Sequence, residues 1–300
     1  MTAYHQPVLL NEAIEGLNVQ VSGTYVDVTF GGGGHSREIL KRLGKHGKLY
    51  AFDQDEDTTA RIPDDRRIIF TCGNFRFLEN YLRFYGVKEV DGILADLGVS
   101  SHHFDEPERG FSYRYNVALD MRMNRKGKLT AAGIVAGYSE SELEHILSAY
   151  GELHNSRKVA RSIINARSSR NLDKTGDLIT VIQHCIPAGQ TNQYLSKVFQ
   201  AFRIEVNRET ENLSDMLEQS STLLKRGGRL VVISYHSLED RLVKNYFKSG
   251  NIRGITHKDV YGNYSVPFRS LHQKPVVPSE KEIKNNTRAR SAKLRVAVKN

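Results

Sequence analysis

The sequence predicts an α/β protein: a doubly wound sheet with helices on both faces and a small helical domain inserted into it. Two observations carry this. Strand-like apolar runs recur at 25–30, 48–53, 67–72, 92–96 and 229–234 with helical runs between most of them, the alternation expected of a parallel sheet. The spacing then fails once, because about 130 residues separate Asp96 from Arg229 where a single crossover needs a dozen or so.

The first strand-like run leads into Gly31-Gly-Gly-Gly34, where the backbone can turn sharply and let a ligand approach without interference from Cβ atoms. A side chain at Gly33 or Gly34 is expected to fill that space or to demand a forbidden backbone angle. The run 36–43 puts Ile39, Leu40 and Leu43 on one helical face, and its amino terminus then points at whatever lies over the glycines. The second strand ends in Asp53, about twenty residues past the loop, where such folds place a carboxylate that accepts hydrogen bonds from a ribose diol. Ser36 stands where the third glycine of the dinucleotide fingerprint belongs, which disfavours a nicotinamide enzyme. Asp27, acidic inside the first strand and just before the turn, is instead what S-adenosylmethionine enzymes commonly show.

The insert reads as helical. Ser139-Glu-Ser-Glu142 is a capping-box pattern with Leu143, Ile146, Leu147 and Tyr150 behind it and Gly151 as the stop. Further helices are predicted over 156–167 and 177–186. The run 193–226, with Val198, Phe199, Phe202, Leu213 and Leu217, reads as a crossover helix returning to the sheet. These boundaries place 1–104 and 193–300 in the sheet domain and 105–192 in the insert. After the fifth strand, 237–246 reads as a helix, and Val276-Val277 with the alternating stretch 294–298 reads as a closing antiparallel hairpin.

With 39% hydrophobic and 26% charged residues among 300, the composition is that of a soluble chain with ample core. No run approaches the roughly 18 apolar residues of a membrane span, and the amino terminus lacks a signal-peptide core, so a cytoplasmic location without membrane contact is expected. Cys72 and Cys185 lie far apart and are expected to be reduced thiols. The net charge of +9 favours a polyanionic partner. Basic residues crowd one helical stretch (Arg157, Lys158, Arg161, Arg167, Arg170) and the region of Arg288, Arg290, Lys293 and Arg295.

Asp96 ends the fourth strand, where an open α/β sheet forms its ligand crevice, and its other reading is a turn cap. Phe75, after the third strand, can pack on an adenine or serve as core. His236 follows the fifth strand and also overlooks the crevice, although Ser237 with Asp240 fits helix capping equally well. His102, His103 and Asp105 lack a second cluster at ligand spacing, so no metal is expected. Neither a Ser-His-Asp triad nor a nucleophile elbow stands out, which argues against acyl transfer.

Eight segments in order then carry a resemblance over nearly the full length. They are His5-Gln-Pro-Val-Leu-Leu-Asn-Glu12, Thr29-Phe-Gly-Gly-Gly-Gly-His-Ser36, Asp96-Leu-Gly-Val-Ser-Ser101, Arg109-Gly-Phe-Ser112, Leu119-Asp-Met-Arg-Met123, Phe199-Gln-Ala-Phe-Arg-Ile-Glu-Val-Asn207, Ser237-Leu-Glu-Asp-Arg241 and Arg288-Ala-Arg-Ser291. On them the chain resembles the MraW family, bacterial methyltransferases with a Rossmann-like class I fold that use S-adenosylmethionine to methylate N4 of a cytidine in the decoding region of small-subunit ribosomal RNA. The resemblance implies a cofactor site of Gly33, Gly34, His35, Asp53, Phe75, Asp96 and the residue at His103, where the family usually has Pro-Gln in place of His102-His103. It also implies a helical insert, for which substrate recognition is the expected role, and the small ribosomal subunit as partner; the oligomeric state stays open.

Candidates to orient the acceptor amine are Asp96, Ser234, His236 or backbone carbonyls, since the Pro-Pro pair of many amino-methyltransferases is absent. Asp96 and His236 are the catalytic candidates. Arg109, Arg157, Arg161, Arg288 and Arg290 are the candidate phosphate contacts, with Phe111, Tyr113 and Tyr115 beside Arg114 as a stacking platform or as packing between domains. A noncatalytic RNA-binding or ribosome-assembly factor is the rival reading.

Overall fold

The computed structural model describes residues 7–99, 106–256 and 266–300, so His102, His103 and Asp105 lie outside the described residues. The chain opens with α1 (Leu10–Leu17), β1 (Thr24–Asp27), α2 (Gly34–Arg42), β2 (Lys48–Asp53), β3 (Ile68–Cys72), α3 (Leu78–Phe84) and β4 (Val90–Asp96). Five helices follow: α4 (Ala131–Gly137), α5 (Glu140–Ala149), α6 (Ser156–Arg167), α7 (Thr175–Ile182) and α8 (Thr191–Asn207). The chain then runs through α9 (Glu209–Leu223), β5 (Leu224–Ser234), α10 (Ser237–Ser249), β6 (Phe268–Ser270), α11 (Glu280–Asn285) and β7 (Lys293–Lys299).

Two compact units result, one of residues 1–98 with 210–300 and one of residues 99–209. In the first, seven strands order as β3-β2-β1-β4-β5-β7-β6. Neighbours from β3 to β5 are parallel, while β7 runs antiparallel to both β5 and β6. Alternate side chains of each strand enter opposite layers. Val26, Phe52, Ile93 and Val232 face Leu82, Leu213, Met216 and Tyr246, whereas Tyr25, Leu49, Leu94 and Val231 face Ile14, Leu17, Ile39 and Leu40. Both faces are therefore covered by helices, as a parallel sheet requires. The strand order reverses between β1 and β4, which puts the topological switch point beside the glycine turn.

Two expectations need correcting in this unit. The sheet is not closed by a hairpin of Val276-Val277 with 294–298; β7 inserts between β5 and β6, and Val276 makes only a single bridge to Leu294. The alternation of β7 specifies a half-buried strand but not its neighbour. The strand expected over 25–30 ends at Asp27 as regular structure, yet Val28 still donates to the Leu94 carbonyl and Phe30 to that of Phe52, at 2.9 Å each.

The second unit is a helical bundle. Ser139 caps α5 with the reciprocal Glu142 bond of a capping box, and α6 spans the expected residues. The crossover helix expected over 193–226 breaks at Arg208, whose φ of 51° is left-handed. Its first half, α8, buries Tyr194, Val198, Phe199 and Phe202 among Ile134, Leu147, Val159 and Ile163. The boundary of the insert thus moves from 192 to 209, because the apolar stripe of α8 completes the bundle core. Phe202→Ala is expected to cost about 3–5 kcal/mol and to lower hydrogen-exchange protection first in α4 to α7. Loss of protection in β1 to β5 ahead of the helices would contradict this placement of α8.

Candidate active site

Asp27 has no exposure to water. Its carboxylate accepts from Ser36 Oγ at 2.6 Å and from the Thr29 amide at 3.1 Å, which ties the end of β1 to the first turn of α2. Between them Gly31 and Gly33 adopt φ values of 52° and 73°. Arg37 reaches back from α2 to the Gly32 and Arg61 carbonyls, at 2.7 and 3.0 Å, and fixes the turn from beneath. A Cβ at Gly33 would lie 2.7 Å from the Phe30 ring, in addition to the strain of its φ. At Gly34 the Cβ would lie 2.0 Å from Pro7 Cγ. The need for glycine at 34 is thus imposed by the Pro7 ring rather than by cofactor space.

Gly33 caps α2 without a side-chain hydrogen bond, so the amide groups of the first helical turn present a donor set with positive partial charge. Across the turn, Asp53 Oδ2 accepts from the Gly31 amide at 2.7 Å and Oδ1 from the Asp55 amide at 2.9 Å. Its carboxylate is thereby held at the end of β2. Phe75 begins a short 3-10 turn after β3, half-buried against the sheet core.

His35 departs from expectation. Its side chain is buried, with Nε2 at 3.2 Å from the Val8 carbonyl and Nδ1 at 3.6 Å from Asp96 Oδ2. A carbonyl only accepts, so Nε2 carries the proton and Nδ1 turns its lone pair toward Asp96. Burial lowers the pKa of this imidazole, partly opposed by Asp27 and by the bond to Val8. Its ring therefore supports the site from within the protein, and what His35 presents in the first turn of α2 is its backbone amide.

Asp96 lies at the end of β4 with its side chain 23% exposed. Tyr235 donates its hydroxyl to Oδ1 at 2.8 Å, and Thr29 Oγ accepts from the Asp96 amide at 2.6 Å. Desolvation pushes the carboxyl up to about 7; the Tyr235 bond works against this and the charge of Glu239 adds to it. Tyr235 and Glu239 are the site residues that sequence reasoning missed. Glu239 is buried at the start of α10 and accepts from the Tyr235 amide at 2.9 Å. Their signal in the sequence is position, directly after a strand whose carboxyl end borders the crevice.

His236 is the amino-terminal cap of α10, its Nδ1 accepting from the Glu239 amide at 3.5 Å. Nε2 lies 3.1 Å from Glu239 Oε1, and the side chain is 8% exposed. The cap is thus His236 with Glu239 rather than Ser237 with Asp240. Nδ1 is engaged at the helix start, whereas Nε2 is buried and makes no hydrogen bond among the described residues.

The arginines divide into two kinds. Arg109 is 6% exposed and donates Nη2 to the Arg122 and Met123 carbonyls at 2.9 and 3.0 Å. It is a structural clasp within the helical unit and not a phosphate contact. Phe111 is buried and Tyr113 packs edge-on against Phe199 at 5.8 Å, so of the expected platform only Arg114 and Tyr115 are exposed. Arg167 donates to the Val135 and Tyr138 carbonyls. Arg157 and Arg161, in contrast, are 69% and 57% exposed on α6 and both lie beside Glu140. In the sheet unit Arg288 and Arg290 are exposed on the turn before β7.

A seven-stranded sheet of this order, a glycine turn at its switch point and acids at the ends of β1, β2 and β4 define a Rossmann-like class I methyltransferase. The chain belongs to the MraW methylase family, whose model matches residues 2–300. Similar relatives include proteins named ribosomal RNA small subunit methyltransferase H from Bacteroides thetaiotaomicron, 54% identical over 99% of this chain and 97% of that one, and from Flavobacterium johnsoniae, 53% identical over 99% and 98%. A relative of the same name from Cytophaga hutchinsonii is 53% identical over 98% of this chain and 99% of its own. S-adenosylmethionine is the methyl donor, and the residues fit it. The first turn of α2 suits its carboxylate, the fixed Asp53 suits a ribose diol, and Phe75 offers a ring at the end of β3.

The raised pKa of Asp96 has a cost. The folded protein favours the neutral acid, so the associated stability is complete below about pH 4 and is lost as pH rises through about 7. Asp96→Asn is expected to be the more stable protein in denaturant unfolding at alkaline pH, by at most about 4 kcal/mol, with the difference fading toward pH 4. A variant less stable than the parent across that range would contradict the buried-acid description.

Proposed function

We propose that this protein methylates N4 of a cytidine in the decoding region of bacterial small-subunit ribosomal RNA, acting in the cytoplasm on the small subunit. The observation that carries the reading is Asp96: a carboxylate at the switch point, beside the glycine turn, in a chain whose relatives over 97–99% of their length are named for this ribosomal RNA. A cytosine amine delocalises its lone pair into the ring. A strand-end acceptor for its protons favours the pyramidal form whose lone pair can attack.

S-adenosylmethionine supplies an activated methyl group, so the protein's task is alignment, desolvation and handling of one proton. Gly33 and Gly34, through the turn and the start of α2, with Asp53 and Phe75, hold the donor. Asp96 faces the acceptor nitrogen. The target base leaves its stack to reach the crevice, as with other enzymes that modify a base. The helical unit is assigned to substrate recognition, with Arg157 and Arg161 on phosphates; Arg288 and Arg290 serve the same purpose on the sheet unit.

Transfer from labelled S-adenosylmethionine to small ribosomal subunits, naked ribosomal RNA and DNA, followed by nucleoside analysis, tests the assignment. Label is expected in N4-methylated cytidine from the subunit sample. Asp53→Ala should weaken cofactor binding by roughly 1.5–3 kcal/mol in titration calorimetry while leaving the fold intact. Binding of S-adenosylmethionine without transfer to any of the three would instead favour a ribosome-assembly factor that keeps the fold.

Replacing Arg157, Arg161, Arg288 or Arg290 is expected to weaken RNA binding and to flatten the dependence of log K on log salt by about one unit for each phosphate no longer neutralised. Arg109→Ala, by comparison, should lower the thermal midpoint and leave that slope unchanged. An unaltered slope in all four surface variants would make them solvated surface.

A further inference from the structure

The carboxyl group of Asp96 is faced from two sides by groups of opposite hydrogen-bonding sense. Tyr235, on the segment between β5 and α10, donates its hydroxyl to Oδ1 at 2.8 Å. His35, in the first turn of α2, turns an unprotonated Nδ1 toward Oδ2 at 3.6 Å, because its Nε2 proton is engaged by the Val8 carbonyl. That distance exceeds a hydrogen bond by a few tenths of an ångström, as is common in catalytic pairs before substrate binds. The other charged groups facing this cluster among the described residues are Asp27, buried at the end of β1, Glu239, buried in α10, and Glu282 of α11, which bears on Tyr235; all three are anionic when ionised. Within the cluster, no fixed cation neutralises Asp96 among the described residues. The proton therefore has two places to sit, on Asp96 or on His35 Nδ1, and Tyr235 biases which.

We propose that His35, Asp96 and Tyr235 form a proton-sharing unit in which the Asp96 carboxylate takes the proton released by the methylated nitrogen, while His35 and Tyr235 are positioning residues that set its readiness to do so. The inference rests on the reading of the acceptor as an exocyclic amine. In that step the amine lone pair forms the new bond to the methyl carbon, and the electron pair of the breaking carbon–sulfur bond stays on sulfur. One N–H proton then passes to Asp96 Oδ2, where the Nδ1 lone pair of His35 accepts a hydrogen bond from the neutral acid. The proton leaves to solvent along the exposed edge of Asp96 after product departs.

The two positioning residues should act in opposite directions. The Tyr235 hydroxyl stabilises the carboxylate, so its loss should raise the titration midpoint; the His35 lone pair stabilises the neutral acid, so its loss should lower it. The test is a carbon-13 NMR titration of Asp96 in the full-length protein labelled at aspartate, with the signal identified by its disappearance in Asp96→Asn. It is paired with the pH dependence of kcat on small subunits at saturating S-adenosylmethionine.

Tyr235→Phe should move both the NMR midpoint and the rising limb of kcat upward by about one pH unit, and His35→Leu should move both downward, with cofactor Kd changed less than about twofold in Tyr235→Phe. A wild-type midpoint in the ordinary carboxylate range, or a midpoint unmoved by Tyr235→Phe, overturns the proposal even if His35→Leu fails to fold. A midpoint that moves while the kcat limb does not overturns the role of Asp96 as proton acceptor. If the midpoints shift as expected but no RNA is methylated, the proton-sharing unit stands and the assignment of the substrate falls.

Discussion

The site depends on one carboxylate that never meets water. Asp27 sits at the end of β1 with both oxygens engaged, by Ser36 Oγ on one side and by the Thr29 amide on the other. Burial raises its pKa, and the bonds from Ser36 and Thr29 oppose the rise. The same bonds fix the glycine turn in space. Once the turn is fixed, α2 starts where its amides face the crevice, His35 is carried beneath Asp96, and Thr29 Oγ receives the Asp96 amide. An acid in a strand is usually a liability; here it couples two strand ends and a helix start into one rigid corner.

Much of the fold is legible in the sequence because its elements carry local signals. The spacing of Asp53 behind the glycine turn, the capping box at Ser139 and the apolar stripe of α6 each specify a structure from a few neighbouring residues. What is not legible depends on partners distant in sequence. The residues of α8 have helical spacing whether they cover a sheet or complete a bundle, and only the break at Arg208 assigns them to the bundle. The pattern of β7 likewise says which face is buried but not that β5 and β6 lie on either side. In the site, the positions of Asp53 and Asp96 follow from the strand-end rule. Tyr235 escapes notice because an aromatic residue after a strand reads as core, and the capping role of His236 because a histidine is not among the usual helix caps.

Charge composition illustrates the same limit. A net charge of +9 suggests an anionic partner, but several arginines are spent inside the protein. Arg109 and Arg167 satisfy backbone carbonyls, Arg203 pairs with Glu209, and Arg295 with Asp240. The guanidinium group suits this work because its planar fork can close several acceptors at once. Exposure, rather than count, separates these from Arg157, Arg161, Arg288 and Arg290.

The placement of β7 between β5 and β6 bears on how the molecule is made. A ribosome extends a chain from its amino end, so β5 and the segment bearing β6 emerge well before residues 293–299 that must lie between them. Until then the outer edge of β5 presents unpaired amide and carbonyl groups to solvent, a surface prone to pairing with other strands. Ser234, Tyr235 and His236 follow at the end of that same strand, and Lys293 and Arg295 of β7 hold Asp240 in the helix beyond. The crevice is thus completed only after residues 293–299 are made, because their pairing with β5 holds the strand whose end carries Tyr235.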